Sequence, residues 1–184
     1  MKRLIVASVS VISLMFAGAT GASASQAGNV SVDDAANSSS KPVQVDGEIS
    51  PQLDPIVIAE CNVGLGEVVI DTASSEEDGK VSLRCGDDKS GYVHIRKNHE
   101  NDWEKRKGGA EGLWDDLMWY STKSALENPS FTLDMGSNKR CYTAPIVIEN
   151  SEGKKVTFHP TVLVSMNNKR VITSYPTTEH ECVP

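Results

Sequence analysis

Trp114, Leu117, Met118, Ser121, Ala125 and Leu126 recur at the three- and four-residue intervals of a helix with one apolar or small face. Asp115 and Asp116 stand where the positive end of that helix dipole favours anions, and Pro129 stops it. Beyond Ser130 the pattern changes to strand runs: Phe131–Leu133, Arg140–Ile148, Lys155–Met166 and Lys169–Tyr175. The intervening turns, Asn150-Ser151-Glu152-Gly153 and Asn167-Asn168, are short, so neighbouring strands are expected to pair antiparallel. Pro160 interrupts the third run and predicts a bulge or an edge position there.

Before the helical part, Pro55–Ala59, Glu67–Asp71 and Lys80–Cys85 read as strands, separated by Gly64-Leu65-Gly66 and Glu76-Glu77-Asp78-Gly79. Residues 55–90 are thus a small β-rich segment, either a separate unit or the opening of the main domain. Residues 91–184 form the main domain, with its helices ahead of its sheet. The fold class predicted is α+β: N-terminal helices packed on a curved antiparallel β-sheet. Trp114 and Trp119 could offer a stacking platform for bases, but Trp114 lies on the apolar stripe, which makes the core its expected place.

Residues 1–24 read as a secretory signal peptide. Lys2 and Arg3 precede an apolar stretch from Leu4 to Phe16, and Ala22-Ser23-Ala24 supplies a cleavage site. Residues 25–54, rich in Ser, Asn, Ala, Gly and Asp, read as a disordered acidic linker. The expected location is extracellular. Four cysteines in an exported chain predict disulfides among Cys61, Cys85, Cys141 and Cys182. Of the three pairings, Cys61–Cys85 with Cys141–Cys182 is favoured, because each bridge then closes within its own half. No Cys-x-x-Cys or Cys-x-x-His spacing suggests a metal site, and the chemistry considered below needs neither metal nor cofactor.

The formal net charge is −7, and losing Lys2 and Arg3 would make it −9. All of that excess lies between Ser25 and Tyr92; from Val93 onward 12 basic and 12 acidic residues balance. Such a chain is not a broad, nonspecific nucleic-acid binder. A local cationic cleft remains open to it, since the later cations cluster at Arg96-Lys97, Lys105-Arg106-Lys107, Lys139-Arg140, Lys154-Lys155 and Lys169-Arg170.

Two segments carry candidate chemistry. Gly91–His99 offers His94 and His99 with Arg96 and Lys97; Asn168–Pro176 offers Thr173 and Tyr175 on one face of a strand. Cleavage of RNA at its own 2′-hydroxyl needs a base, an acid and charge stabilisation at phosphorus. Histidine titrates in the right range, cations hold the phosphoryl oxygens, and hydroxyls position them. On a regular helix His94 and His99 would point about 140° apart, so the first histidine is expected to reach the site only if the helix begins after it. His159 reads as structural, with lining the cleft as its alternative, and His180 as solvated.

At these residues the chain resembles the bacterial ribonuclease-A-like toxin domain of contact-dependent inhibition proteins, near the barnase- and colicin-like ribonucleases. The match covers roughly Gly91 to Pro176. It consists of two histidines five apart, His94 and His99, and the strand ending Thr173-Ser174-Tyr175-Pro176. The resemblance implies a metal-independent, toxin-like RNA endonuclease with a kidney-shaped α+β fold. It implies catalytic work by His99 with Thr173 and Tyr175, His94 assisting, an RNA substrate and an immunity or inhibitor protein as partner. The family's arginine further along the first helix has Arg106 as its nearest counterpart; Arg96, Lys97, Lys139 and Arg140 are the other candidate substrate-binding cations. The alternative is a non-enzymatic secreted binding or inhibitor module, which the acidic leader fits. No Gly-x-Ser-x-Gly or His-Glu-x-x-His motif supports a hydrolase of peptide bonds.

Overall fold

A computed structural model describes residues 43–150 and 152–182, and the signal peptide with residues 25–42 of the expected linker lies outside them. The elements are β1 (Val43–Asp46), α1 (Pro55–Asn62), β2 (Val69–Ser75), β3 (Gly79–Arg84), α2 (Gly91–Lys107), α3 (Trp114–Glu127), β4 (Phe131–Gly136), β5 (Lys139–Thr143), β6 (Ile146–Glu149), β7 (Lys155–Ser165) and β8 (Arg170–Thr177). The fold is α+β, with helices packed on a curled sheet and two disulfides.

The strand order is β1-β6-β7-β8-β3-β2, with β5 on β7 beyond β6 and β4 on β5. The sheet is mixed rather than wholly antiparallel: β1 runs parallel to β6, and β3 meets β8 in parallel at Ser82 and Arg170. Three strands precede α2, so the helices are embedded in the chain rather than leading it.

Several local readings change. Pro55–Ala59 is helix, not strand. Its β-branched residues favour a strand, but Asp54 accepts from the Ile56 N–H at 2.8 Å and Pro55 presets the first helical φ. Those start signals outweigh a modest β preference. Residues 43–46, expected in the disordered linker, pair along β6 instead; the parallel ladder satisfies backbone groups that their own short sequence could not. The Arg140–Ile148 run divides at Ala144-Pro145 into β5 and β6. Pro160 sits opposite that break: β7 pairs with β6 through Phe158 and with β5 from Val162, so no ladder bond needs the missing N–H on that side. The β-bulge lies further on, between Leu163 and Val164 in their pairing with β8.

The core lies between α2, α3 and one sheet face, around Trp103, Trp119, Tyr142 and Phe158, all fully buried. Every residue of the predicted helical stripe is buried. Both Trp114 and Trp119 are buried too, and the Trp119 indole N–H donates to Asp71 at 2.7 Å. The favoured disulfide pairing is present. Cys61–Cys85 ties α1 to the end of β3, and Cys141–Cys182 ties the segment after β8 to β5. Through β3 and β8, residues 69–84 continue the main sheet.

Candidate functional site

The site begins at the β3–α2 junction. Gly91 opens α2 at φ +80°, where a Cβ would meet the Arg84 carbonyl at 2.7 Å, so only glycine lets the chain turn this tightly. Asp87 accepts from the N–H groups of Lys89 and Ser90 and fixes the preceding loop. The helix therefore includes His94, so the late start named as the condition for His94 to reach the site is not met. The His94 and His99 rings nonetheless lie 6.0 Å apart, edge to face.

Farther along α2, Trp103 donates its indole N–H to the Ser174 carbonyl of β8 at 3.1 Å, and the Ser174 hydroxyl shares a hydrogen bond of 2.7 Å with the Thr122 hydroxyl of α3. These two bonds pin β8 between the helices at one residue. Tyr175 follows directly, and its ring lies 5.0 Å from that of His99, tilted by 30°. The structure thus brings His94, His99 and Tyr175 together. Thr173 is on the same strand face as Tyr175, opposite Leu163; it is buried and its hydroxyl has no hydrogen-bond partner among the described residues.

His99 Nδ1 lies 3.5 Å from an Asp102 carboxylate oxygen, one helical turn on, which directs Nε2 away from the helix. Burial pushes the His99 pKa below the ordinary value; Asp102 opposes that shift and a charge on His94 adds to it. His99 is accordingly a neutral imidazole at neutral pH, competent as a base. His94 Nδ1 lies 2.9 Å from the Asp88 carbonyl and 3.1 Å from the Asn98 side-chain amide nitrogen.

Beside this trio lies a cavity of about 340 Å³ lined by Asp102, Lys105, Arg106 and Pro176. Arg106 also stands over the Phe158 ring at 5.6 Å. Lys105 enters the sequence reading only as part of a cation cluster, and Asp102 not at all, although a His-x-x-Asp spacing on a helix signals it.

The other candidate cations are placed differently. Arg96 bonds Asn62 of α1 and covers the Tyr92 ring, and Lys97 pairs with Asp88 at 2.9 Å. Arg140 pairs with Asp78 at 3.3 Å, and Lys139 is exposed at the start of β5. Arg140 faces Val164, three residues along β7 from the Thr161 that faces Tyr175. It is therefore about 10 Å away along the strand and two strand spacings across. The structure does not bring Lys139 and Arg140 to the histidines.

A second cavity, about 450 Å³ and mostly apolar, opens between α1 and the start of α3, lined in part by Ile49, Leu53, Ile58 and Leu113. Among the described residues no cluster of three or more His, Cys, Asp or Glu side chains is arranged to hold a metal ion, and no helix is long and apolar enough to cross a membrane. No protein-family model matches the chain, and no curated protein matches it.

Proposed function

We infer that this protein is an exported, metal-independent RNA endonuclease that cleaves by transphosphorylation and acts as a toxin. The observation carrying this reading is the His99 ring held between Tyr175 and His94, at 5.0 and 6.0 Å. Two imidazoles at that separation can flank one phosphodiester. His99 Nε2 takes the 2′-hydroxyl proton; the 2′ oxygen attacks phosphorus; the bond to the 5′ oxygen breaks; and His94, as imidazolium, gives the leaving oxygen its proton. The products are a 2′,3′-cyclic phosphate and a 5′-hydroxyl. Burial lowers the His99 pKa, and a charge on His94 would add to that shift, which fits this division of labour. Tyr175 positions the phosphoryl oxygens, with Thr173 buried behind it on the same strand face, and Lys105 and Arg106 supply charge for the adjoining phosphate.

Two disulfides fit an oxidising compartment, and the signal-like start of the sequence fits export into it. RNA is the substrate, and an immunity or inhibitor protein is the expected partner. The apolar cavity beside α1 favours a second reading, a secreted binding or inhibitor module without catalysis.

The experiment is incubation of the mature protein with RNA in EDTA, beside His99→Ala. Cleavage that leaves cyclic phosphate ends and disappears in the variant supports the nuclease. An inert wild type leaves the binding module as the better account.

A further inference from the structure

The sheet face opposite the core residues Phe158 and Val162 carries a second set of polar side chains, with Tyr175 at its edge reaching His99 of α2. Cross-strand pairing sets His159, Thr161 and Leu163 of β7 against Thr177, Tyr175 and Thr173 of β8, so all six share that face. On the other side of β7, Cys141 of β5 pairs with Leu163. His159, Thr161 and Thr173 are 5%, 0% and 6% exposed. Neither His159 Nδ1 nor either threonine hydroxyl has a hydrogen-bond partner among the described residues. Buried polar groups without partners are costly, and several in one row beside a candidate active site call for a ligand that would satisfy them.

Residues 178–182 run beside the row. Residues 178–182 leave β8 after Thr177, put the His180 ring 4.4 Å from that of His159, and finish at Cys182, bonded to Cys141. Its two anchors, His159 and the Cys141 that pairs with Leu163, lie on either side of Thr161 along β7. Its residues 178–181 are exposed outward, while the row is not.

We propose that His159, Thr161 and Thr173 form a nucleotide subsite beside the His99–Tyr175 pair, and that residues 178–182 are a disulfide-tethered cap holding it shut. The proposal rests on the ribonuclease reading. Hydroxyls and a neutral imidazole both donate and accept hydrogen bonds, as the edge of a base or a ribose requires, and the row holds no cation to select a phosphate. A dithiol reductant opens the cap. Its thiolate attacks the Cys182 sulfur, 9% exposed against 0% for Cys141. The S–S bond breaks with two electrons and two protons, leaving two thiols here and a disulfide on the reductant. An exported enzyme would then reach full affinity only in a reducing compartment.

The test compares the oxidised protein with Cys141→Ser/Cys182→Ser, which keeps the Cys61–Cys85 bridge. The probe is a 2′-O-methyl dinucleotide, which cannot be cleaved. It is expected to bind the double variant at least 10-fold more tightly, and adding Thr161→Val is expected to cancel that gain while Thr161→Ser preserves it. In the same background Thr161→Val raises KM for a ribodinucleotide with kcat little changed. A folded double variant that binds the probe no better than the oxidised protein overturns the cap, and a gain that survives Thr161→Val overturns the subsite. Should the double variant fail to fold, His180→Ala keeps the cross-link and exposes His159. Diethyl pyrocarbonate is then expected to modify His159 several-fold faster, and an unchanged rate overturns the cap. Failure of the ribonuclease reading is separate: the oxidised and open proteins would both leave RNA intact, and the subsite would fall with it.

Discussion

The indole N–H of Trp103 donates to the backbone carbonyl of Ser174, and this bond decides where helix meets strand. His99 is one turn before Trp103 on α2, and Tyr175 is one residue after Ser174 on β8. A shift of either element by one residue would part the two rings. Trp103→Phe keeps most of the apolar burial but leaves a buried carbonyl unpaired. It is expected to cost about 1–3 kcal/mol in urea denaturation. RNA cleavage should fall further than that loss of folded protein explains, when both are measured at a temperature where the variant is fully folded.

The reaction's pH dependence follows from the surroundings of His99. Burial lowers its pKa from the ordinary 6.5, and Asp102 opposes the shift. In the proposed reaction His99 is the base and works once deprotonated, so kcat/KM is expected to rise with pH through a value below 6.5 and to be high at neutrality. Asp102→Asn removes the opposing charge and should move that rising limb to lower pH. It should also lower kcat, since Nδ1 loses its orienting partner. A rising limb that shifts upward would contradict the proposed role of Asp102.

Stability has its own histidine window. Burial lowers the pKa of both His99 and His159, with His180 adding to the effect at His159. The unfolded chain therefore binds protons at a higher pH than the folded one. Stability is full above 6.5 and is lost as pH falls from there through the lowered folded values. Melting temperatures measured from pH 7 down to pH 5 should decline, and His159→Gln should flatten that decline.

Arg106 and Arg140 should separate cleanly. Arg106→Ala removes a cation from the cavity beside Tyr175 and is expected to raise KM for RNA about tenfold, with more salt sensitivity lost than stability. Arg140 instead serves Asp78. Burial alone would raise that carboxyl's pKa, but hydrogen bonds from Lys169 and Tyr142 and the Arg140 charge hold it low. Arg140→Ala is expected to cost about 1 kcal/mol of stability, seen in denaturation, with KM unchanged.

The Tyr92 hydroxyl donates to buried Asp115 at 2.9 Å. Burial raises the Asp115 pKa, and that hydrogen bond restrains the rise. Tyr92→Phe should cost about 1–3 kcal/mol at neutral pH. The cost should shrink in acid, where a protonated Asp115 no longer presents a buried charge; denaturation at pH 7 and pH 4 measures the difference.

Much of the fold is local in origin and was legible. The α3 stripe, its stop at Pro129, the short turns between late strands and the favoured cysteine pairing all rest on spacings of a few residues or on chain halves. Pro55–Ala59 shows the limit: hydrophobic runs of that length suit either element, and Asp54 with Pro55 decided for helix. The parallel joins of β1 to β6 and β3 to β8 link residues about a hundred apart in the case of β1 and β6, and no periodicity encodes such a partner.

By itself the sequence determined which groups are available: two imidazoles five apart, a Thr-x-Tyr strand end, clustered cations and four cysteines. Only the tertiary structure decided which of them meet. Proximity across 76 residues, from His99 to Tyr175, depends on packing of Trp103 against Ser174, and packing is a property of the whole core rather than of any segment. The same physics took Arg140 to Asp78, brought Lys105 and Arg106 to the cavity, and set His180 against His159.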